Sequence, residues 1–199
     1  MNLDYNEEYK SFEKEVQDFC KQYKDISFSD RAKIPFSAKG GRNKNTIKRS
    51  DWQKILIEKG YFARSVPKKY GGYGGETDIL KSRIIASEFS KFKIPTPMGG
   101  QGIDMLVPTL LELGTEQQKE KYIKPTLYGE MIWCQGYSEP NAGSDLASLQ
   151  TKAELIDGEW VINGQKIWTS TAQYAHMMFC LVRTAVSYTH LRAHETFAN

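Results

Sequence analysis

Two short stretches contain residue types that could do chemistry. The first, WCQGYSEPNAGSDLASLQTKA from Trp133 to Ala153, sets the small turn-formers Asn141, Ala142 and Gly143 ahead of a Ser144-Asp145 pair. Glycine lets a backbone approach a ligand closely, and loops held between rigid elements carry function. A strand opening onto exposed amides, a hydroxyl and a helix start suits a pyrophosphate. The same pattern also describes a commoner arrangement, in which Ser144 or Asp145 only caps a short helix after a tight turn. The second stretch, KIWTST from Lys166 to Thr171, puts an indole beside hydroxyls. Those groups could meet a flat heteroaromatic ring, or they could be a core tryptophan with surface threonines. Joined through hairpins in one small β region, the two stretches together fit a flat, phosphate-bearing cofactor.

The elements that must position them change character along the chain. Tyr9, Phe12, Val16, Phe19 and Tyr23 recur at steps of three and four, which predicts an amphipathic helix. Ser27 to Arg49 is polar and has no apolar period, so it is expected to be a loop. Its basic residues Lys39, Arg42, Lys44, Lys48 and Arg49 lack interleaved aromatics and read as a solvated run. SDWQ at Ser50–Gln53 has the pattern of a capping box opening a short helix that Gly60 ends. Gly71, Gly72, Gly74 and Gly75 mark a turn-rich connection. Leu80, Ile84, Ile85, Phe89 and Phe92 mark another helix. In Ile103–Leu113, Pro108 either kinks a helix or starts a shorter one, and TEQQ at Thr115–Gln118 caps the next. From Met131 onward the pattern is of short strands. Asp157-Gly158 and Asn163-Gly164 are both hairpin signals, and MMFCLVRT is a further strand. The expected fold class is α+β: an all-α N-terminal domain over 1–129, then an incomplete antiparallel, barrel-like β domain over 130–184.

Composition narrows the classes. A hydrophobic content of 40% with 26% charged residues is that of a globular protein, and a net charge of +3 is too small to argue for nucleic acid. No apolar run reaches membrane-spanning length, and the acidic, polar MNLDYNEEYK start does not match a secretory leader. Cys20, Cys134 and Cys180 form no CxxC pair and read as reduced thiols, so a cytoplasmic location is expected. His190 and His194 are spaced like two metal ligands but lack a following Glu and a third ligand, and no metal is expected.

Gly136 to Asp145 matches the signature of the acyl-CoA dehydrogenase flavoproteins: small, aliphatic, Ser/Thr, Glu, two variable positions, small, then Gly-Ser/Thr-Asp. Tyr137 departs from it where an aliphatic residue is usual, as in the branch with pimeloyl-CoA and steroid side-chain dehydrogenases. GYFARSVPKKYGGYGG and PTLLELGTEQQKEKYIKPTLYGE resemble the family's N-terminal helical domain, so the resemblance runs from about Trp52 to Thr184.

The resemblance implies FAD as cofactor and an acyl-CoA as substrate, with an electron-transfer flavoprotein as acceptor and an oligomeric assembly. It implies that Gln135, Tyr137 and Ser138 lie along the flavin, and that Gly143 and Ser144 reach the pyrophosphate, Ser144 also touching the acyl-CoA. Trp168, Thr169 and Ser170 would cover the flavin near its reactive nitrogen. The reaction it implies removes the α-proton of the thioester to a carboxylate while the β-hydrogen leaves as hydride to flavin, giving the trans-2-enoyl-CoA. In relatives that carboxylate comes from a C-terminal helical bundle, so no catalytic residue is expected here and Glu139 is structural. Residues 185–199, AVSYTHLRAHETFAN, do not continue the family pattern and are expected to be an off-pattern tail. The 199-residue chain is expected to bind FAD weakly and to be inactive by itself, with apolar groups such as Trp168 and Phe179 exposed. A non-catalytic flavin- or CoA-binding subunit, and a flavin monooxygenase or oxidase on the same fold, remain alternatives.

Overall fold

The computed structural model describes residues 6–29, 45–184 and 194–195. Lys39, Arg42, Lys44, His190 and nearly all of the 185–199 tail lie outside the described residues. The chain divides into two compact units, one holding residues up to Met98 with Thr115–Glu130, the other Gly99–Gly114 with Met131 onward.

The first unit is helical. Helix α1, Glu7–Tyr23, is opened by Asn6, whose side chain accepts from the Tyr9 N–H, and Glu7 and Glu8 complement the positive end of its dipole. Helix α2 is Arg49–Glu58, and α3, Ile79–Phe92, is capped by Asp78 accepting from the Lys81 N–H. The predicted apolar stripes of α1 and α3 face each other. Val16, Phe19, Ile84, Ile85 and Phe89 are buried in one cluster with Trp52, Leu56 and Tyr61. Phe19 stacks on Trp52 at 5.7 Å and on Phe89 at 6.0 Å between ring centroids.

Two local expectations fail here for physical reasons. The Ser50–Gln53 capping box does not form, because α2 already starts at Arg49 and its N-cap Lys48 has no side-chain cap bond. Gln53 is fully buried and its amide is committed elsewhere: Nε2 donates to the Leu127 carbonyl and Oε1 accepts from the Met98 N–H, both at 2.9 Å. The helix does end as expected. Gly60, at φ +71°, donates to the Ile57 carbonyl while Tyr61 donates to Leu56, the paired bonds of a left-handed helix stop. The segment expected to be one loop from Ser27 to Arg49 has paired ends. Strand β1, Ile26–Phe28, runs parallel to β2, Asn45–Ile47. Ile26, Phe28 and Ile47 pack against the helical core, a contribution too short to show any period. At Thr115 the capping box does form in both directions, opening α5, Glu116–Leu127.

In the second unit a π-helical turn over Gly102–Leu106 leads into α4, Val107–Leu113. Pro108 is the second residue of α4, directly after the π-helical turn, so the regular helix begins where the i→i−4 ladder is already interrupted. The strands are β3 (Trp133–Gly136), β4 (Lys152–Ile156), β5 (Glu159–Asn163) and β6 (Met177–Thr184). Their order is β3-β6-β4-β5, with His194–Glu195 (β7) also pairing with β6. Helices followed by a partial sheet are as expected, and the described strands form no closed barrel.

The strand directions correct the antiparallel expectation. β3 and β6 are parallel, with Trp133 opposite Met177 and Gly136 opposite Cys180, and β4 also meets β6 in parallel at Lys152–Arg183 and Ala153–Thr184. Parallel neighbours need a long crossover, and the chain from Tyr137 to His176 supplies it by folding the β4–β5 hairpin within it. That hairpin is antiparallel as expected, and its turn is Asp157-Gly158, both at positive φ (52° and 86°) as a type I′ turn requires. The second signal, Asn163-Gly164, does not turn the chain. Gly164 runs close past Thr151, where an added Cβ would lie 2.3 Å from Thr151 Oγ1, so its smallness serves packing. Phe179 is 1% exposed, contrary to expectation. Cys20, Cys134 and Cys180 are buried free thiols, and burial pushes the Cys20 pKa up to about 11. Among the described residues no helix is long and apolar enough to cross a membrane.

Candidate functional site

The end of β3 runs into a tight turn, Glu139-Pro140-Asn141-Ala142. It is closed in both directions, Glu139 N–H to Ala142 O at 2.7 Å and Ala142 N–H to Glu139 O at 3.1 Å. Proline presets φ at the second turn position and asparagine tolerates the third. The Glu139 side chain turns inward. Its Oε2 accepts from the Gln150 N–H at 2.6 Å, and Oε1 from the Thr151 N–H at 2.9 Å and the Lys166 ammonium at 2.8 Å. Lys166 also donates to the Tyr137 carbonyl at 3.0 Å. Both side chains of the ion pair are only 7% exposed.

Burial by itself would raise the Glu139 pKa, but the bonds from Lys166, Thr151 and Gln150 outweigh it and hold the carboxyl at about 2. A folded pKa below the ordinary 4.5 means that the bound carboxylate stabilises the fold above about pH 4.5. That contribution is lost as pH falls through this range towards 2. Glu139→Gln is therefore expected to flatten this acid limb when stability is measured by urea unfolding between pH 5 and about 2.5. An identical limb in both proteins would remove Glu139 as its source.

The turn delivers Gly143, Ser144 and Asp145, all exposed, to the surface. Asp145 sits at the N-cap of a single 3-10 turn, Leu146–Ser148, yet its side chain makes no cap bond. The capping alternative thus has the place without the hydrogen bond, and three residues carry too small a dipole to hold an anion by themselves. What the loop offers is open backbone and the Ser144 hydroxyl. A Cβ added at Gly143 would find nothing nearer than Trp168 Cζ3 at 3.8 Å, so there is room beside its backbone.

Trp168 is not a core tryptophan: it is 79% exposed. Its backbone lies at φ +53° and that of Thr171 at +70°, a region costly for bulky and β-branched residues. The chain is pinned on both sides of this strain. Ile167 N–H donates to Ser138 O at 2.9 Å, Ser170 N–H to Trp168 O at 2.9 Å, and Ala172 N–H to Thr169 O at 3.0 Å. Backbone strain held in place by its surroundings points to a functional role.

The remaining expected residues divide. Gln135 is half-buried in β3, opposite Phe179 in the parallel register. Tyr137 is half-buried with its ring tilted against Phe179 at 5.5 Å between centroids, so that ring packs on the sheet. The Ser138 carbonyl is the anchor for Ile167, Thr169 is half-buried and Ser170 exposed. The structure thus brings Gly143 against Trp168 and Ser138 against Ile167. Two residues were not singled out from sequence. One is Lys166, and the other is Arg183, whose guanidinium bonds the Ala147 and Leu149 carbonyls and whose N–H bonds Thr151 O at 2.8 Å. Lys166 lies three residues past β5 and Arg183 near the end of β6, and a lone cation at either place carries no signal of its own. An exposed indole beside an open glycine backbone and a free-standing hydroxyl fits a flat ring with an anionic tail. Among the described residues no group of three or more His, Cys, Asp or Glu side chains could hold a metal ion.

Comparison with known families agrees in chain order. Residues 6–130 match the acyl-CoA dehydrogenase N-terminal domain and residues 134–198 the acyl-CoA dehydrogenase middle domain. The chain belongs to the acyl-CoA dehydrogenase family. The middle-domain match continues through the segment expected to be an off-pattern tail. The chain is 38% identical over 146 residues to acyl-CoA dehydrogenase IpdE1 of Mycolicibacterium smegmatis, covering 68% of this chain and 37% of that one. It is 41% identical over 137 residues to acyl-CoA dehydrogenase FadE34 of Mycobacterium tuberculosis, covering 66% of this chain and 18% of that one. Among solved structures it resembles the ChsE4-ChsE5 complex of Mycobacterium tuberculosis, with TM-score 0.61 and 28% identity over 93% of this chain and 44% of that one. It also resembles the Tcur3481-Tcur3483 steroid acyl-CoA dehydrogenase, with TM-score 0.60 and 31% identity over 92% of this chain and 45% of that one. The chain therefore spans less than half the length of these relatives.

Proposed function

We propose that this chain is the N-terminal part of an FAD-dependent acyl-CoA dehydrogenase, with residues 1–129 as its helical domain and 130–184 as part of its middle domain. The observation that carries this reading is Trp168. Its exposed indole, carried on a strained backbone, stands against the open backbone of Gly143, which Ser144 follows in the chain. In this reading Gln135, Tyr137 and Ser138 supply the edge on which the isoalloxazine lies, with Tyr137 acting through its backbone. Trp168, Thr169 and Ser170 cover the ring, and Gly143 and Ser144 receive the pyrophosphate, Ser144 also the thioester. When bound, FAD supplies the hydride acceptor for oxidation of an acyl-CoA to its trans-2-enoyl-CoA. The protein's share of the work is to orient both molecules and exclude water from between them.

A proton acceptor must reach the α-carbon directly. Glu139 does not serve, since three donors hold its carboxylate inside the protein. The 199-residue chain is accordingly expected to bind flavin without turning over an acyl-CoA. In the working enzyme an electron-transfer flavoprotein would reoxidise the flavin. The pairing named for the ChsE4-ChsE5 complex favours an oligomer.

Titration with FAD tests the reading. Binding is expected to be weak and saturable, and Ser144→Asp to weaken it at least about tenfold, because a new charge would face phosphates in a partly dry site. Equal affinity in both proteins would remove Ser144 from the site. Acyl-CoA-dependent dye reduction by the chain alone would return Glu139 to candidacy as a base.

A further inference from the structure

We propose that the buried Lys166–Glu139 ion pair is the positioning element that sets Trp168–Ser170 against the Gly143–Ser144 loop. Only its consequence for flavin rests on the function proposed above. The two segments are far apart in sequence, yet two consecutive residues on one side bond to three on the other. Lys166 donates to Tyr137 O and to the Glu139 carboxylate, and Ile167 donates to Ser138 O. Trp168 follows directly, so its left-handed backbone begins at the last of these bonds.

On the other side Glu139 closes the loop that carries Gly143 and Ser144. Its backbone makes the first turn with Ala142, and its carboxylate binds the amides of Gln150 and Thr151 where the loop returns. One carboxylate thus holds the start of the loop, its end and the lysine that carries the Trp168 segment. Arg183 clamps the intervening Ala147 and Leu149 carbonyls, leaving Gly143 to Asp145 as the exposed crest of a closed loop. A charge pair this dry is a poor source of net stability by comparison with apolar packing, and fixing a geometry is a recognised use for one. Neither Lys166 nor Glu139 need touch the ligand. They act through Trp168 and Ser144.

The test uses hydrogen exchange of the 199-residue chain without ligand, and FAD titration with the flavin spectrum read at saturation. In Lys166→Met the hydrogen-bonded amides that frame the two segments, Glu139 and Ala142 on one side and Ser170 and Ala172 on the other, are expected to exchange faster together, while those of α3 keep their rates. FAD affinity is expected to fall about tenfold, the lower end for loss of a supporting interaction, and the spectrum at saturation to shift. Should Lys166→Met fail to fold, the Lys166→Met/Glu139→Gln double variant leaves no unpaired buried ion and gives the same readouts. Faster exchange confined to Ile167, Gln150 and Thr151, or an unshifted spectrum of bound flavin, overturns the proposal. Coupled loosening of both segments in a chain that binds no FAD even as wild type upholds the positioning role and overturns the flavin reading alone.

Discussion

Glu139→Leu is expected to cost about 3–5 kcal/mol of stability, the range for breaking a buried ion pair from one side. The leucine is of similar size, so the loss does not come from a cavity. It comes from the Lys166 ammonium, left without its carboxylate in a place where its side chain is 7% exposed, and from the Gln150 and Thr151 amides that lose their acceptor. Tyr137 O remains as one acceptor for Lys166, which keeps the cost below that of an isolated buried charge. Thermal unfolding of the variant should begin about 10 °C or more below wild type, given a few degrees per kcal/mol for a protein of this size. Adding Lys166→Met to Glu139→Leu should recover much of the loss, since no buried ion then remains. A single variant within about 0.5 kcal/mol of wild type would mean that water reaches the pair and that it holds nothing in place.

Trp52→Ala is expected to cost about 3–5 kcal/mol by removing a large side chain from a closed core. Trp52 is 2% exposed, stacks on Phe19 and lies 5.3 Å from the Tyr23 ring centroid. Its Nε1 also donates to the Pro95 carbonyl at 3.0 Å, which the alanine leaves without that donor. Trp52→Phe keeps most of the ring contact and loses the hydrogen bond, so it should cost about 1–2 kcal/mol. Urea unfolding followed at a helix-specific wavelength separates the two. A Trp52→Ala loss below about 1 kcal/mol would mean that the core refills the cavity, a result at odds with close packing around it.

The helical unit was legible because long amphipathic elements repeat their signal. Val16 and Phe19 on one stripe and Ile84, Ile85 and Phe89 on another are the residues that meet in the core. The Thr115–Gln118 cap and the Gly60 stop were readable because both are made by neighbours in sequence. Ser50–Gln53 has the same local pattern, but burial drew Gln53 into bonds with Leu127 and Met98. The sheet was legible in its strands and less so in their pairing. Asp157-Gly158 turned the chain as its residue types require, whereas Asn163-Gly164 was set by its passage beside Thr151.

What the sequence by itself determined was the family, the order of helices before strands, and the two stretches in which a cofactor-binding pattern can be recognised. Each of these is written in short-range types and spacings: the Gly136–Asp145 signature, the KIWTST run and the switch from helical to strand period near Met131. Only the tertiary structure decided that β3 and β6 run parallel, and that Phe179 is buried while Trp168 stands exposed. It also decided that Lys166 reaches back across the fold to Glu139. These depend on which residues meet over long separations. A lysine in the irregular segment past a strand has the same local sequence whether it faces water or a buried carboxylate, and only the folded neighbourhood, by removing water from around the pair, makes them different.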